Sequence, residues 1–384
     1  MKQIFKKLDK PLLFFTVLYS VLGLLLVLSA SSVIAVMNYE ESPYYFFIRQ
    51  FIFVFIGYLI GFLFILRFPI RRYKKFMPIL LVGLVFVLIF LLLYGELTNS
   101  ARSWLNIAGF GIQPSEFAKL ILILFMAFFY GNFNSKTRGK YEVFIPIAYS
   151  IFVVGLILMQ PDLGTATIVA GIVMFTFLAI PLNSNSVIRA LKILAGVAIV
   201  VIIVVLSTGE SFLTEEQQSR LNYKDPCQRY TEKTGYQVCN GFIAINNGGL
   251  IGKGLGNSTQ KYLYLPEAYT DFIFPIAVEE LGVIICSVLI LGFLYIIFRI
   301  IYIAKKASNL RNSIICYGIA MYLLLHLLIN FLGILALIPL TGVPVPFFSY
   351  GGSFAISVIV AMFLVQRVAI ESKNDMVRRD IDNF

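Results

Sequence analysis

The run PLLFFTVLYSVLGLLLVLSASSVIAVM, residues 11–37, contains no charged side chain, and its reading decides the fold. It exceeds the roughly 20 apolar residues that cross a ~30 Å hydrocarbon core as a helix. Lys2 to Lys10 ahead of it resemble the basic start of a secretory signal, but the apolar stretch is longer than a signal core. The run therefore reads as an uncleaved signal-anchor. Outward from it, comparable runs recur at 46–66, 77–95, 114–131, 142–160, 163–181, 188–208, 272–303, 312–340 and 347–370. The expected fold is all-α and polytopic, with about ten transmembrane helices in a single domain spanning 1–384. Composition agrees: 59% of the 384 residues are hydrophobic, 13% are charged, and the mean hydropathy is +0.87. A soluble domain carries about 25% charged residues to cover its surface.

The net charge of +11 does not point to nucleic acid, because the basic residues are dispersed in short clusters between apolar runs. With the N-terminus inside, the cytoplasmic segments hold 22 of the 31 Lys and Arg residues, as the positive-inside bias requires. They are Lys2, Lys6, Lys7 and Lys10; Arg67, Arg71, Arg72, Lys74 and Lys75; Lys136, Arg138 and Lys140; Arg189 and Lys192; Arg299, Lys305, Lys306 and Arg311; and Arg367, Lys373, Arg378 and Arg379. Both termini are then cytoplasmic, with a tail from about 371 to 384. One histidine and no C-x-x-C pair argue against a zinc site. No internal repeat supports an inverted-repeat transporter.

A polar segment of about 209–271, between spans seven and eight, breaks the rhythm on the outer side. A shorter outer loop at about 96–113 holds the single tryptophan, Trp104. Long ordered loops are usually functional, and the chemistry is expected where these two meet. Asp271, at the junction of the long loop and span eight, is a carboxylate flanked by aromatic residues at the water–lipid boundary. Partial desolvation there makes a better base; the alternative is an N-cap on span eight. Glu279 and Glu280 lie two turns deeper, where ionisable groups require partners, and Lys119 is the natural counter-ion; three residues after Glu116, it is alternatively a partner for Glu116 along their own helix. A structural ion pair of Glu116, Lys119, Glu279 and Glu280 is expected. The glycine-rich stretch 248–256 lacks a nucleotide-binding context. It reads either as a close-packed turn or as backbone N–H groups offered to a diphosphate. Cys227 and Cys239 enclose a short loop on the oxidising side and are candidates for a disulfide, against two free thiols; Cys286 and Cys316 lie in apolar runs as core residues. His326, near Asn330, reads as a hydrogen-bonded core residue.

Five motifs then resemble one family, in its order, between residues 100 and 355. They are Ala101-Arg102-Ser103-Trp104-Leu105 with Gln113-Pro114-Ser115-Glu116-Phe117-Ala118-Lys119, then Gln160-Pro161-Asp162-Leu163-Gly164-Thr165, then Asn247 to Ser258, then Leu265 to Phe274, and finally Pro344 to Ser353. They are similar to those of the SEDS (shape, elongation, division and sporulation) family of FtsW, RodA and SpoVE. Tyr269 stands where that family commonly has histidine, and the cysteine-bearing segment 225–239 departs from its pattern. The resemblance implies a peptidoglycan glycosyltransferase of the bacterial cytoplasmic membrane. Its substrate would be lipid II, a disaccharide-peptide on undecaprenyl diphosphate, and its partners a class B penicillin-binding protein and the division or elongation machinery. It also implies Asp271 as the catalytic residue and Trp104 as part of the other activity-linked motif. A departing diphosphate needs cations, for which Arg102, Lys119, Lys253 and Lys261 are candidates, with Glu267 as a further substrate contact. The resemblance names no cofactor; a divalent cation, which Asp271 could help to bind, is compatible with the chemistry, and the metal requirement stays open. The alternative is a lipid II flippase without polymerase activity.

Overall fold

The computed structural model of the chain describes residues 2–98, 101–107, 110–131, 142–181 and 222–382. Nine of the ten expected spans fall among them, and all nine are helical. A short helix α1 (Lys2–Lys7) precedes α2 (Lys10–Tyr39), α3 (Tyr45–Ile60, continued by a π-turn at Gly61–Ile65), a single turn α4 (Ile70–Tyr73) and α5 (Met77–Tyr94). Next come α6 (Pro114–Tyr130), α7 (Ile145–Leu158) and α8 (Leu163–Leu178). The last four helices are α9 (Lys233–Gly248), α10 (Ile273–Lys305), α11 (Leu310–Ile334) and α12 (Gly352–Asp382). Among the described residues six helices are long and apolar enough to cross a membrane. The expected span at 188–208, the inner Lys136, Arg138, Lys140, Arg189 and Lys192, and the start of the long loop with Arg220 lie outside the described residues.

Helix α2 shows why these segments form a membrane bundle. Asp9 caps its start, accepting from Leu12 N at 3.2 Å. Leu12, Thr16, Tyr19, Gly23, Val27 and Ala30 recur at helical spacing and are buried against neighbours. On the opposite face Phe14, Val17, Val21 and Leu25 are exposed, and that face is as apolar as the buried one. A helix that is apolar all round suits lipid on one side and protein on the other. The most enclosed spanning helix is α12, which packs against α3, α6 and α11. On the face where the termini lie, the Asp9 carboxylate accepts from Arg299 Nε and Nη2 at 2.9 and 2.7 Å, joining α2 to α10.

Four features depart from a plain bundle with loops. Segment 96–112 is a small antiparallel sheet of β1 (Glu96–Thr98), β2 (Ala101–Ile107) and β3 (Phe110–Ile112), in the order β1-β2-β3. The long loop contains α9, whose alternation of small and apolar residues packs Gly241 on Phe272 and Gly248 on the α10 backbone. Cys227 and Cys239 are joined in a disulfide that fastens the 3₁₀ turn Pro226–Arg229 to α9. Replacing both with serine is expected to lower stability by about 2–4 kcal/mol, because the open chain regains loop entropy. Thermal unfolding of the wild type with and without reductant checks this; a midpoint that neither change moves would rule it out.

The third departure is at the ninth and tenth spans, which the apolar pattern extends to 340 and resumes at 347. The helix stops at Ile334, and residues 335–351 run irregularly to α12. Pro339, Pro344 and Pro346 lack the N–H that a helix needs, and Gly342 and Phe347 have positive φ. Irregular backbone at membrane depth survives only where protein covers it and supplies its hydrogen bonds. Here Val343, Val345 and Phe348 are buried. Gln50 of α3 donates to Ser349 O at 3.2 Å and accepts from Gly351 N at 3.1 Å. Ser349 Oγ accepts from Val345 N at 2.8 Å.

Fourth, α10 is broken at Gly282, whose φ of 80° and ψ of 164° lie outside helical space. The glycine-rich turn after α9 fills the gap. Lys253 N and Gly254 N donate to the carbonyls of Glu279 and Glu280 at 3.0 and 2.9 Å. Val283 N and Ile284 N donate to the carbonyls of Gly249 and Leu250 at 3.0 and 3.2 Å. Every backbone group orphaned by the break that these four bonds serve is thus satisfied from another segment. Of the two readings open for this stretch, the close-packed turn describes its backbone.

Candidate active site

Asp271 sits in a tight turn that begins at Glu267, a residue in the left-handed region with φ of 55°. Glu267 O accepts from both Thr270 N and Phe272 N at 3.1 Å, which reverses the chain and presents residue 271 just ahead of α10. The N-cap of α10 is Phe272, without a side-chain cap, so Asp271 stands outside the helix rather than capping it. Its side chain is buried, only 7% of the residue remaining exposed. The Thr270 hydroxyl bridges two carboxylates, 2.6 Å from Glu267 Oε2 and 3.3 Å from Asp271 Oδ1. A single hydroxyl proton serves the nearer one, which leaves Asp271 the weaker claim on it.

The main chain at this point is gripped from two other elements. Asn330 of α11 donates both amide protons, to Asp271 O and to Val343 O, each at 2.7 Å. Tyr350 N donates to Tyr269 O at 2.9 Å, and the two tyrosine rings lie 5.5 Å apart. Phe46 of α3 packs on both rings. Burial of Tyr269 pushes its phenol well above the ordinary tyrosine range, so it remains a neutral hydrogen-bonding group at any physiological pH.

The four intramembrane ionic residues form separate pairs, which corrects the expectation that Lys119 serves Glu279 and Glu280. Lys119 pairs with Glu116 at 2.6 Å, and its other neighbour is His326 Nε2 at 3.0 Å. His326 Nδ1 faces the carbonyl of Pro344 at 3.0 Å. A carbonyl only accepts, so Nδ1 carries the proton and Nε2 accepts from the ammonium. Glu279 instead pairs with Lys253 at 2.9 Å and also accepts from Ser258, Thr259, Gln260 N and Asn247. Glu280 pairs with Lys261 at 3.0 Å and accepts from Ser29. The physical reason is the break in α10: the turn that repairs it folds the lysines of the long loop back onto the two glutamates.

Three of the four candidate cations are thereby committed to buried or half-buried carboxylates. The fourth, Arg102, lies on β2, and its side chain is outside the described part of the structure. Trp104, also on β2, lies partly buried against Gly111 of β3. The sheet leads into Gln113, whose N donates to Ser353 Oγ at 2.9 Å and whose amide donates to Asp162 Oδ2 at 3.0 Å. Asp162 in turn caps α8 by accepting from Thr165 N at 3.0 Å. The motifs at 113–119, 160–165 and 344–353, remote in sequence, are therefore in contact.

Arg49 went unremarked in the sequence, since it falls inside an apolar run and in none of the five motifs. Its guanidinium lies 4.4 Å from the ring of Tyr45 and 5.2 Å from that of Phe110, and its charge acts on the nearby Tyr350 phenol. An arginine one turn into a predicted span, with no partner nominated for it, was the available signal.

The family profile described as "Cell cycle protein", FtsW/RodA/SpoVE, matches residues 10–374. The probable peptidoglycan glycosyltransferase FtsW of Bacillus subtilis is 35% identical over 378 residues, covering 96% of this chain and 92% of that protein. Stage V sporulation protein E of the same organism is 35% identical over 370 residues, covering 95% and 98%. Among solved structures, a chain of a peptidoglycan synthase complex superposes with a TM-score of 0.73 at 23% identity, covering 95% of this chain and 98% of that one. The rod shape determining protein RodA of Thermus thermophilus does so with 0.66 at 24%, covering 94% and 96%. With sequence likeness running almost end to end and the same helical fold in RodA, the chain belongs to the FtsW/RodA/SpoVE family of multi-pass membrane proteins.

Proposed function

We propose that this protein is a peptidoglycan glycosyltransferase, acting in division or elongation, which polymerises lipid II at the outer membrane face with Asp271 as its general base. FtsW of Bacillus subtilis, its relative over nearly the whole chain, carries the name of that activity. The observation that carries the assignment of the residue is the triple grip on Asp271. The Glu267 turn, Asn330 and the Tyr350–Tyr269 bond hold a buried carboxylate in one place outside any helix. Such a group takes the proton of an acceptor sugar hydroxyl as its oxygen attacks the anomeric carbon of the donor. The bond from that carbon to the phosphate oxygen breaks, and its electron pair leaves with the diphosphate. Glu267, tied to the same site through Thr270, is placed to orient the acceptor. Among the described residues no three His, Cys, Asp or Glu side chains gather as a metal centre. Glu267 and Asp271 are the carboxylates that would hold a divalent cation brought in with the diphosphate.

The same reading places both termini inside and the 209–271 segment outside. It also assigns a class B penicillin-binding protein as partner, supported by the likeness to a chain of a synthase complex whose subject is coordinated polymerization and crosslinking. The function is tested by adding lipid II to the purified protein with its penicillin-binding partner and resolving the products by gel electrophoresis. Glycan strands are expected. In a separate cell-based assay Leu255→Cys, exposed on the glycine-rich turn, should react with a membrane-impermeant maleimide in intact spheroplasts. Labelling only after permeabilisation would overturn the orientation, and absence of polymer would overturn the activity.

A further inference from the structure

Any reaction that expels a diphosphate needs positive charge where the leaving group sits, and that charge must be available rather than already neutralised. Lys119, Lys253 and Lys261 each have a carboxylate within 3.0 Å. Lys119 and Lys261 are also almost wholly buried, 1% and 3% exposed. Breaking one of these pairs to serve a substrate would strand an uncompensated glutamate in the protein interior. They are poor hosts for a ligand that must enter and leave at every cycle.

Arg49 is different in each respect. Among the described residues no carboxylate pairs with it; its partners are two aromatic faces and one phenol. It is half-buried rather than enclosed. Cation–π contacts with Tyr45 and Phe110 use the charge but none of the N–H donors, which suits a bidentate anion. Its link to Asp271 is short and made of named contacts. The Arg49 charge acts on the Tyr350 phenol, Tyr350 N bonds Tyr269 O, and Asp271 follows two residues later. The neighbouring Gln50 clamps Ser349 and Gly351 on either side of Tyr350, so the helix bearing the arginine and the segment bearing its phenol partner move as one piece.

We propose that Arg49, held beside the rings of Tyr45 and Phe110 and next to the Gln50 that clamps the Tyr350 segment bonded to the Asp271 turn, is the residue that receives the diphosphate of the lipid-linked substrate. The proposal rests on the glycosyltransferase reading for its choice of ligand, but its test does not need turnover. Undecaprenyl diphosphate, undecaprenyl monophosphate and undecaprenol are titrated against the detergent-solubilised full-length chain, and binding is read by quenching of intrinsic fluorescence. Arg49→Gln is expected to weaken diphosphate binding by about tenfold or more, as loss of a charge-assisted hydrogen-bonding pair does. Binding of undecaprenol should be unchanged. Arg49→Lys keeps the charge and removes the planar fork, so it should reduce the preference for diphosphate over monophosphate by about threefold or more. It also serves if Arg49→Gln fails to fold, which its thermal unfolding midpoint reports. Diphosphate affinity within twofold of wild type in a folded Arg49→Gln, or an unchanged preference in Arg49→Lys, overturns the proposal. Arg49-dependent diphosphate binding without any glycan product would sink the glycosyltransferase reading alone; glycan product with Arg49-independent binding would sink this one alone.

Discussion

Asp271→Asn is expected to reduce glycan polymerisation by about 10²–10⁴-fold, the usual contribution of a positioned general base. The substitution is nearly isosteric. It leaves the backbone carbonyl that Asn330 grips, the Glu267 turn and the Tyr350–Tyr269 bond untouched, since none of these uses the carboxylate. What it removes is the capacity to accept a proton, because an amide oxygen is a far weaker base. The fold should therefore survive while the rate falls. The measurement is glycan yield per unit time from lipid II by the purified complex, with the thermal unfolding midpoint taken on the same sample. A stable variant that polymerises within threefold of wild type would remove Asp271 from the assigned role.

The second large effect is on stability. Gly282→Ala is expected to destabilise the protein by about 4 kcal/mol or more, enough to stop it accumulating in the membrane. At φ of 80° and ψ of 164° a side chain is strained whatever room it has. Here there is none: a Cβ would lie 2.4 Å from both Leu250 O and Ile251 C and 2.5 Å from Gly252 N, all backbone atoms. Relief requires the turn to withdraw from the broken helix. Withdrawal opens the four backbone bonds across the break and pulls Lys253 and Lys261 off two buried glutamates. Gly83→Ala on α5 is the control, because nothing lies within 4 Å of its Cβ position, and it should be neutral or slightly stabilising. Equal expression and equal unfolding midpoints for the two variants would dismiss this account of the α10 break.

The helices were legible because the bilayer imposes a length and a composition that a single chain cannot conceal. The run 77–95 has no other physical use than to cross a membrane, and α5 occupies 77–94. The place of Asp271 at a span boundary was legible as well, since a carboxylate beside Tyr269, Phe272 and Phe274 is conspicuous in so apolar a sequence. Pairing was legible only along one helix. Lys119 and Glu116 are three residues apart and found each other along their helix. Glu279 and Glu280 took partners from a turn whose path depends on Gly252 and Gly282 meeting, which no spacing encodes.

Arg49 illustrates the same division from the other side. Its place in an apolar run is visible in the one-dimensional chain, but its value lies in Phe110 from the small sheet and Tyr350 from the segment before α12. The amino-acid order by itself determined which stretches enter lipid, the charge bias expected to orient them and the family motifs the chain carries, because these are properties of segments. Only the tertiary structure decided which of the described carboxylates are neutralised, by which lysines, and what holds the Asp271 turn in place. Those are properties of contacts between segments, and in a low-dielectric interior the nearest partner, rather than the nearest in sequence, sets the energy of a charge.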